Sequence, residues 1–126
     1  MILVDSSVWV DHLRDGDAVL RERLLAGLVY THPFVIGEIA LGSLRGRDRV
    51  LRELRGLPMT AQADDDEVQL LIERQPLFSL GIGYIDAHLI AAVRLTPGMR
   101  LWTRDRRLRD VAVRLGIADD MPPQAG

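Results

Sequence analysis

Four acidic residues of this chain stand where their side chains could bind a metal ion. Glu38 and Asp86 lie in apolar helical segments, where the residues three and four positions away carry no charge. Asp5 and Asp105 each follow a short apolar run that is typical of a strand. A carboxylate in an apolar setting costs free energy unless a counter-charge compensates it. A divalent cation compensates several carboxylates at once, so the four acids predict a metal site.

Each acid also has an ordinary structural interpretation. Asp5 and Asp105 could be N-caps, because aspartate is favoured at the point where a strand gives way to a helix. Glu38 or Asp86 could be a buried acid that pairs with an arginine. Because two acids in apolar helical segments occur in one short chain, a shared site is favoured. This interpretation depends mainly on Glu38 and Asp86.

The elements that must position these acids are short strands alternating with helices. The predicted strands are residues 2–4, 28–31, 59–61 and 100–103. The predicted helices are residues 6–13, 17–26, 33–44, 47–57, 64–74, 83–95 and 104–115. This alternation predicts an α/β fold with a small central parallel β-sheet flanked by helices. Ligands of such sheets bind beyond the carboxyl ends of the strands, where Asp5 and Asp105 would both lie.

The composition narrows the class of protein. A chain of 126 residues that is 48% hydrophobic suits one compact domain, predicted here for residues 1–117. Residues 118–126 contain two prolines and are expected to form a flexible tail. The absence of cysteine excludes disulfides and thiolate metal sites. With no apolar run of about 18 residues and no basic leader, the sequence predicts a cytoplasmic protein.

Four segments that contain the acids match one known pattern. They are ILVDSSVW at residues 2–9, GEI at 37–39, GYIDAHLIAA at 83–92 and LWTRDRRL at 101–108. Together they resemble the PIN-domain ribonucleases, in particular the VapC-type toxins of bacterial toxin–antitoxin pairs. The resemblance spans residues 1 to about 117, and its specificity comes from the four segments occurring in this order.

The resemblance implies a PIN-like domain and a metal-dependent endoribonuclease toxin. It implies that Asp5, Glu38, Asp86 and Asp105 are catalytic and bind Mg²⁺ or Mn²⁺. Thr103 matches a hydroxyl residue of the family's site, and Ser6 is a weaker candidate for a hydrogen bond beside Asp5. The implied partners are structured RNA such as transfer RNA, a cognate VapB-type antitoxin and a second copy of the chain in a homodimer.

The mechanism expected from this site is hydrolysis of a phosphodiester bond. Asp5 and Asp86 would hold the principal metal ion, and Asp105 would assist directly or through water. Glu38 would bind a second ion or orient the attacking water. Attack by water would leave a 5′-phosphate and a 3′-hydroxyl.

The basic residues of the chain are all arginines, sixteen in number, and the net charge is −2. Arginine suits phosphate recognition because its guanidinium group bonds two oxygens at once. Two clusters, near Asp105 and after the Glu38 helix, could bind RNA phosphates or form local ion pairs. The predicted RNA-binding residues are Arg104, Arg106, Arg107, Arg45 and Arg47.

Other classes of protein remain open from sequence. A phosphatase with a nucleophilic aspartate would favour a second acid two residues after Asp5, where this chain has Ser7. A phosphoacceptor regulatory domain would use a downstream lysine, which is absent. A non-enzymatic interaction module could share the fold, but it would have no use for four acids at one site.

Overall fold

A parallel three-stranded sheet forms the centre of the protein, whose computed structural model describes residues 1–119. The strands are β1 (Ile2–Val4), β2 (Val29–Tyr30) and β3 (Arg100–Trp102). β1 is the middle strand, in the order β2-β1-β3. All three residues of β1 are buried, which explains why this strand is apolar throughout rather than alternating.

Seven helices connect and cover the strands in the described part of the chain. They are α1 (Ser6–Asp15), α2 (Ala18–Leu25), α3 (Pro33–Ala40), α4 (Arg47–Arg55), α5 (Asp65–Arg74), α6 (Tyr84–Leu95) and α7 (Arg106–Arg114). α1 packs on α3, α3 on α4, α5 on α6, and α6 on β3. Leu3 of β1, Leu89 of α6 and Leu108 of α7 belong to one buried core. This arrangement confirms the predicted α/β class.

Helix starts follow the capping residues of the sequence. Asp17 caps α2 by accepting a 2.9 Å hydrogen bond from the Leu20 N–H. Asp64 caps α5, and Glu67 bonds back to the Asp64 N–H to complete a capping box. The acidic run at residues 64–67 is therefore the capped helix end that its sequence indicates.

Two predicted elements are shorter in the structure. The predicted strand 59–61 is reduced to a single bridge between Thr31 and Met59. Pro58 accepts a bond from the Thr31 N–H but has no N–H of its own to extend the ladder. α3 ends at Ala40 instead of residue 44.

The packed domain extends slightly past its predicted limit of residue 117. Ala118 forms a parallel bridge with Leu101, and the Asp119 N–H donates to the Leu101 carbonyl. The remainder of the predicted tail, residues 120–126, lies outside the described residues. Among the helices of residues 1–119, none is both long enough and apolar enough to cross a bilayer.

Candidate active site

Parallel pairing of β1 with β3 brings distant residues together at one edge of the sheet. Val4 and Trp102 are paired, and the Asp5 N–H donates to the Trp102 carbonyl at 2.9 Å. Asp5 and Thr103 are therefore neighbours immediately beyond the carboxyl ends of their strands. Asp105 follows two residues later as the N-cap of α7.

The Asp5 carboxylate is held by two hydroxyl groups. Ser7 Oγ and Thr103 Oγ1 each donate a 2.7 Å hydrogen bond to its Oδ2 atom. Asp5 is only 5% exposed, and its side chain makes no capping bond to α1 although the residue occupies the N-cap position. Within residues 1–119 no hydrogen bond reaches Oδ1. The carboxylate is thus fixed through one oxygen while the other remains available as a ligand.

Thr103 joins two of the acids. Its hydroxyl donates to Asp5 and accepts a 3.1 Å bond from the Asp105 N–H. Asp105 in turn caps α7 by accepting from the Leu108 N–H at 3.0 Å through Oδ1. The capping interpretation of Asp105 is confirmed, but the cap occupies only one of its carboxylate oxygens.

The two serines after β1 bond different acids of the site. Ser6 was predicted to bond beside Asp5, and this is wrong, because its Oγ donates to Glu38 Oε1 at 3.4 Å. Ser7 bonds Asp5 instead and also accepts from the Arg104 N–H at 3.0 Å. Sequence analysis did not identify Ser7, because its hydrogen bond with the Arg104 N–H joins residues that are 97 positions apart.

The other two acids are less buried than their apolar neighbours indicate. Glu38 is exposed on α3, and Asp86 is half-buried. Asp86 is not in the interior of its helix: it is the third residue of α6, and its Oδ2 accepts a 3.0 Å bond from the Gly83 N–H. The expected burial of both acids in an apolar helix interior is therefore wrong, although both still border the site.

Mutual repulsion links the four carboxylates. Although Glu38 is exposed at the surface, partial desolvation of its carboxyl group by surrounding atoms raises its pKa, and the charges of Asp5 and Asp86 raise it further. Burial also raises the pKa of Asp86, the Gly83 N–H opposes this, and the charges of Asp5 and Asp105 add to it. Each acid of the set thus lies close enough to at least one other for its charge to be felt. We call Asp5, Glu38, Asp86 and Asp105 the acid cluster.

The acid cluster suits a hard cation that keeps part of its water shell better than a cation that is enclosed by protein ligands. No three acid or histidine side chains of residues 1–119 converge closely enough to form a complete cage. Mg²⁺ does not need one, since it keeps several waters and uses one or two carboxylates. The oxygen-only donors, the available Oδ1 of Asp5 and the raised pKa values of two acids all suit such an ion.

Glu38→Gln should stabilise the protein at neutral pH in the presence of chelator. The pKa of Glu38 is raised in the folded state, so folding stability falls as pH rises through that pKa, and glutamine removes this penalty. Because Glu38 is solvent-exposed, we expect a modest rise in Tm of about 1–3 °C at pH 7. Thermal unfolding at pH 7 and at pH 4 measures it. A gain of equal size at pH 4, where the carboxyl is largely protonated in both states, would contradict the repulsion.

Arg104 is already engaged by two carboxylates. One guanidinium nitrogen lies 2.6 Å from Asp11 Oδ2, and the other pairs with Asp17. Burial acts to raise the pKa of Asp17, but its bonds from the Leu20 N–H and from Arg104 outweigh burial, and the pKa is lowered. Phosphate binding by Arg104 stays a prediction, and it would compete with these ion pairs.

Arg104→Ala should therefore lower the stability of the fold. It removes a charged partner from Asp17, which is 4% exposed. Because Asp17 keeps its bond from the Leu20 N–H, we expect a loss of about 1–3 kcal/mol in the free energy of unfolding. Urea unfolding of this variant beside Arg109→Ala, which changes an exposed arginine of α7, measures the difference. Equal stabilities would show that the ion pairs contribute nothing.

The remaining predicted phosphate-binding arginines are all exposed. Arg106 and Arg107 open α7 directly after Asp105. Arg107 lies over Gly81, where a β-carbon would come within 2.7 Å of its Cδ atom. Arg47 donates a 3.1 Å bond to the Ala40 carbonyl at the end of α3. Arg45 is exposed on the segment between α3 and α4.

Comparison with known proteins agrees with this architecture. A family model described as the PIN domain matches residues 2–114. The chain is also 47% identical over 118 residues to the protein named Ribonuclease VapC32 in two strains of Mycobacterium tuberculosis. The aligned part covers 94% of this chain and 95% of the relative.

Proposed function

Because this chain belongs to the PIN-domain family, as a relative of the VapC ribonucleases, we propose that it is an endoribonuclease that depends on a divalent cation. The reaction is hydrolysis of a phosphodiester bond in RNA, and transfer RNA is the substrate class that we favour. The observation that carries the proposal is the acid cluster itself. Four carboxylates repel one another at the carboxyl edge of a parallel sheet, which is where such folds bind ligands.

Asp5 and Asp86 would hold the principal cation, Mg²⁺ or Mn²⁺, and Asp105 would assist directly or through water. When bound, such an ion supplies positive charge to a phosphate oxygen and lowers the pKa of coordinated water. Ser7 and Thr103 fix the orientation of Asp5 through its Oδ2 atom. Orientation by such hydrogen bonds is a general requirement of metal ligands, since a ligand that rotates binds more weakly.

Glu38 is suited to receive a proton from the attacking water. Its pKa is raised, which brings it closer to the pH at which a general base works best. Its carboxylate is exposed and bonded only weakly by Ser6, at 3.4 Å, so it can reach a water at the edge of the cluster. After attack the proton would reside on a Glu38 carboxylate oxygen, the bond between phosphorus and O3′ would break, and O3′ would take a proton from solvent to give the 3′-hydroxyl.

Arginines around the cluster would offset the acidic charge for an incoming polyanion. Arg106 and Arg107 are exposed at the N-terminus of α7, where the helix dipole also favours phosphate. Arg45 and Arg47 lie just beyond the helix that carries Glu38. These contacts would position RNA without reading its sequence, and binding should therefore weaken as salt is raised.

The proposed biological setting is a toxin–antitoxin pair. In this setting the chain is the toxin, acts in the cytoplasm, forms a homodimer and is neutralised by a cognate VapB-type antitoxin. The support is the identity to Ribonuclease VapC32 over nearly the whole of both chains. Growth assays of cells that express the chain alone or together with a candidate VapB-type antitoxin test the neutralisation.

The enzymatic proposal is tested with purified protein and bulk transfer RNA. We expect cleavage in Mg²⁺ or Mn²⁺, none in excess chelator, and recovery when the cation is restored. Asp86→Asn should be inactive, while Asp110→Asn, which changes an exposed acid of α7, should cleave like the wild type. Undiminished cleavage in chelator, or an active Asp86→Asn variant, would overturn the proposal.

A further inference from the structure

Next to the acid cluster, four aromatic rings pack edge to face in a continuous row. The ring centroids of His32 and Phe34 are 5.1 Å apart, those of Phe34 and His88 4.9 Å, and those of His88 and Tyr84 4.8 Å. We call these four residues the aromatic strip. It joins α3, which carries Glu38, to α6, which carries Asp86.

The strip has a buried support and an exposed surface. His32 and His88 are 2% and 4% exposed, whereas Phe34 and Tyr84 are 39% and 42% exposed. One exposed aromatic ring is common on protein surfaces. The rings of Phe34 and Tyr84 both pack on the buried ring of His88, so together they form a rigid apolar platform. This platform faces solvent and can bury further apolar area against a binding partner.

Hydrogen bonds hold the platform in place. The Tyr84 hydroxyl donates to Asp65 Oδ1 at 2.9 Å, and His88 Nε2 lies 3.2 Å from the same oxygen. His32 Nδ1 accepts from the Phe34 N–H at 3.0 Å. Burial, aided by His88, lowers the pKa of His32 to about 4, so this ring is neutral at pH 7. The two exposed rings therefore need little further ordering when they bind a flat partner.

The position of the strip relative to the acids suggests what that partner is. Phe34 lies four residues before Glu38 on the same face of α3, a separation of about 6 Å along the axis. Tyr84 is the first residue of α6, and because residues two apart on a helix point to different sides, it joins the strip through His88 and not through Asp86. A nucleotide adjacent to a phosphate at the acid cluster would therefore meet Phe34 first and Tyr84 beyond it, and its base is the flat group that it would present.

Resting on the proposed ribonuclease function, we propose that Phe34 and Tyr84 form a base-stacking subsite for single-stranded RNA beside the scissile phosphate. Aromatic stacking is the common way in which proteins hold unpaired bases, and it tolerates any base. A base inside a duplex has no free face to offer. The subsite would therefore direct cleavage to loops and other unpaired segments, while the arginines bind phosphates.

The test measures binding in chelator, so that no cleavage occurs. The probes are a short single-stranded oligoadenylate and an abasic ribose-phosphate strand of the same length. Tyr84→Ala and Phe34→Ala should each weaken binding of oligoadenylate by about 5- to 100-fold. Their binding of the abasic strand should remain within about twofold of the wild type, because it depends on phosphate contacts alone.

Two matched variants separate stacking from structural support. Tyr84→Phe keeps the ring but loses the bond to Asp65, and it should bind oligoadenylate nearly as tightly as the wild type. Phe78→Ala removes another exposed ring, 57% exposed and outside the strip, and should bind both probes normally. Equal losses on both probes, or no loss on oligoadenylate, would overturn the subsite. The second of these results would assign the exposed rings to a protein partner.

A measurement on the wild type makes the result independent of how the variants fold. Oligouridylate with a single 2-aminopurine, which stacks little on its neighbours in the free strand, should lose fluorescence on binding, because that base is quenched when it stacks on an aromatic ring. Unchanged fluorescence at saturation would overturn the proposal. If the fluorescence falls but no RNA is cut in Mg²⁺, the ribonuclease function fails and the stacking surface stands. If RNA is cut and the fluorescence does not change, only the stacking subsite fails.

Discussion

Asp5→Asn is expected to lower the rate of RNA cleavage by about 10²- to 10⁴-fold, because a cation at the acid cluster supplies several kcal/mol of charge stabilisation in the transition state. The substitution changes one oxygen to an amide and keeps the shape of the side chain. Ser7 and Thr103 can still donate to the remaining oxygen. The loss of rate would therefore reflect the loss of a charged ligand, not a disturbed fold.

The same variant should be at least as stable as the wild type when no cation is present. Removing the Asp5 charge relieves the repulsion that raises the pKa values of Glu38 and Asp86. Thermal unfolding in chelator beside the control Asp110→Asn measures this. A variant that is both inactive and strongly destabilised would assign Asp5 to the fold, and a fully active variant would contradict the role of Asp5 as a metal ligand.

Thr103→Val should lower cleavage by about 10- to 100-fold, the range typical of residues that orient a metal ligand. The hydroxyl of this buried residue donates to Asp5 and accepts from the Asp105 N–H, so valine leaves both acids without a shared partner. The loss should appear as a higher requirement for Mg²⁺ as well as a lower maximal rate. Cleavage rates measured across a Mg²⁺ titration reveal both effects.

Thr103→Ser is the matched control for this prediction. Serine keeps the hydroxyl and loses only a methyl group, so most of the activity should return. If the valine and serine variants lose equal activity, the methyl group and its packing matter more than the hydrogen bonds. If the valine variant responds to Mg²⁺ like the wild type, Thr103 does not orient Asp5.

The fold was largely predictable because the local signals agree with one another. Apolar runs mark β1 and β3, and capping residues such as Asp17 and Asp64 mark the helix starts. The early end of α3 and the predicted strand at residues 59–61, which is one bridge long, are exceptions. Thr60 favours extended backbone, but the length of a strand also depends on how far its neighbour continues beside it.

The burial of the acids was harder to predict. Helical spacing correctly shows that the neighbours of Glu38 on α3 are apolar, yet it does not show whether another element covers that face. In the structure Glu38 is exposed on this face of α3. Asp5 is the most buried of the four acids. The raised pKa values of Glu38 and Asp86 arise first from desolvation, and repulsion from the neighbouring carboxylates adds to it.

The hydrogen bonds of the site could not be predicted because they join distant parts of the chain. Thr103 meets Asp5 only because β3 pairs with β1 in the register Val4–Trp102. Whether Ser6 or Ser7 bonds Asp5 depends on the direction in which α1 leaves the sheet. The pairing of Arg104 with Asp17 likewise spans 87 residues, which is why a local cluster of arginines was first interpreted as a phosphate-binding surface.

The chemistry of the acid cluster is tested most directly by the ends of the RNA that the protein produces. Purified wild-type protein is incubated with transfer RNA in Mg²⁺, and the end groups of the fragments are determined. Attack by water with Glu38 as proton acceptor predicts a 5′-phosphate and a 3′-hydroxyl. A 2′,3′-cyclic phosphate would show that the ribose hydroxyl is the nucleophile and would contradict hydrolysis at the acid cluster.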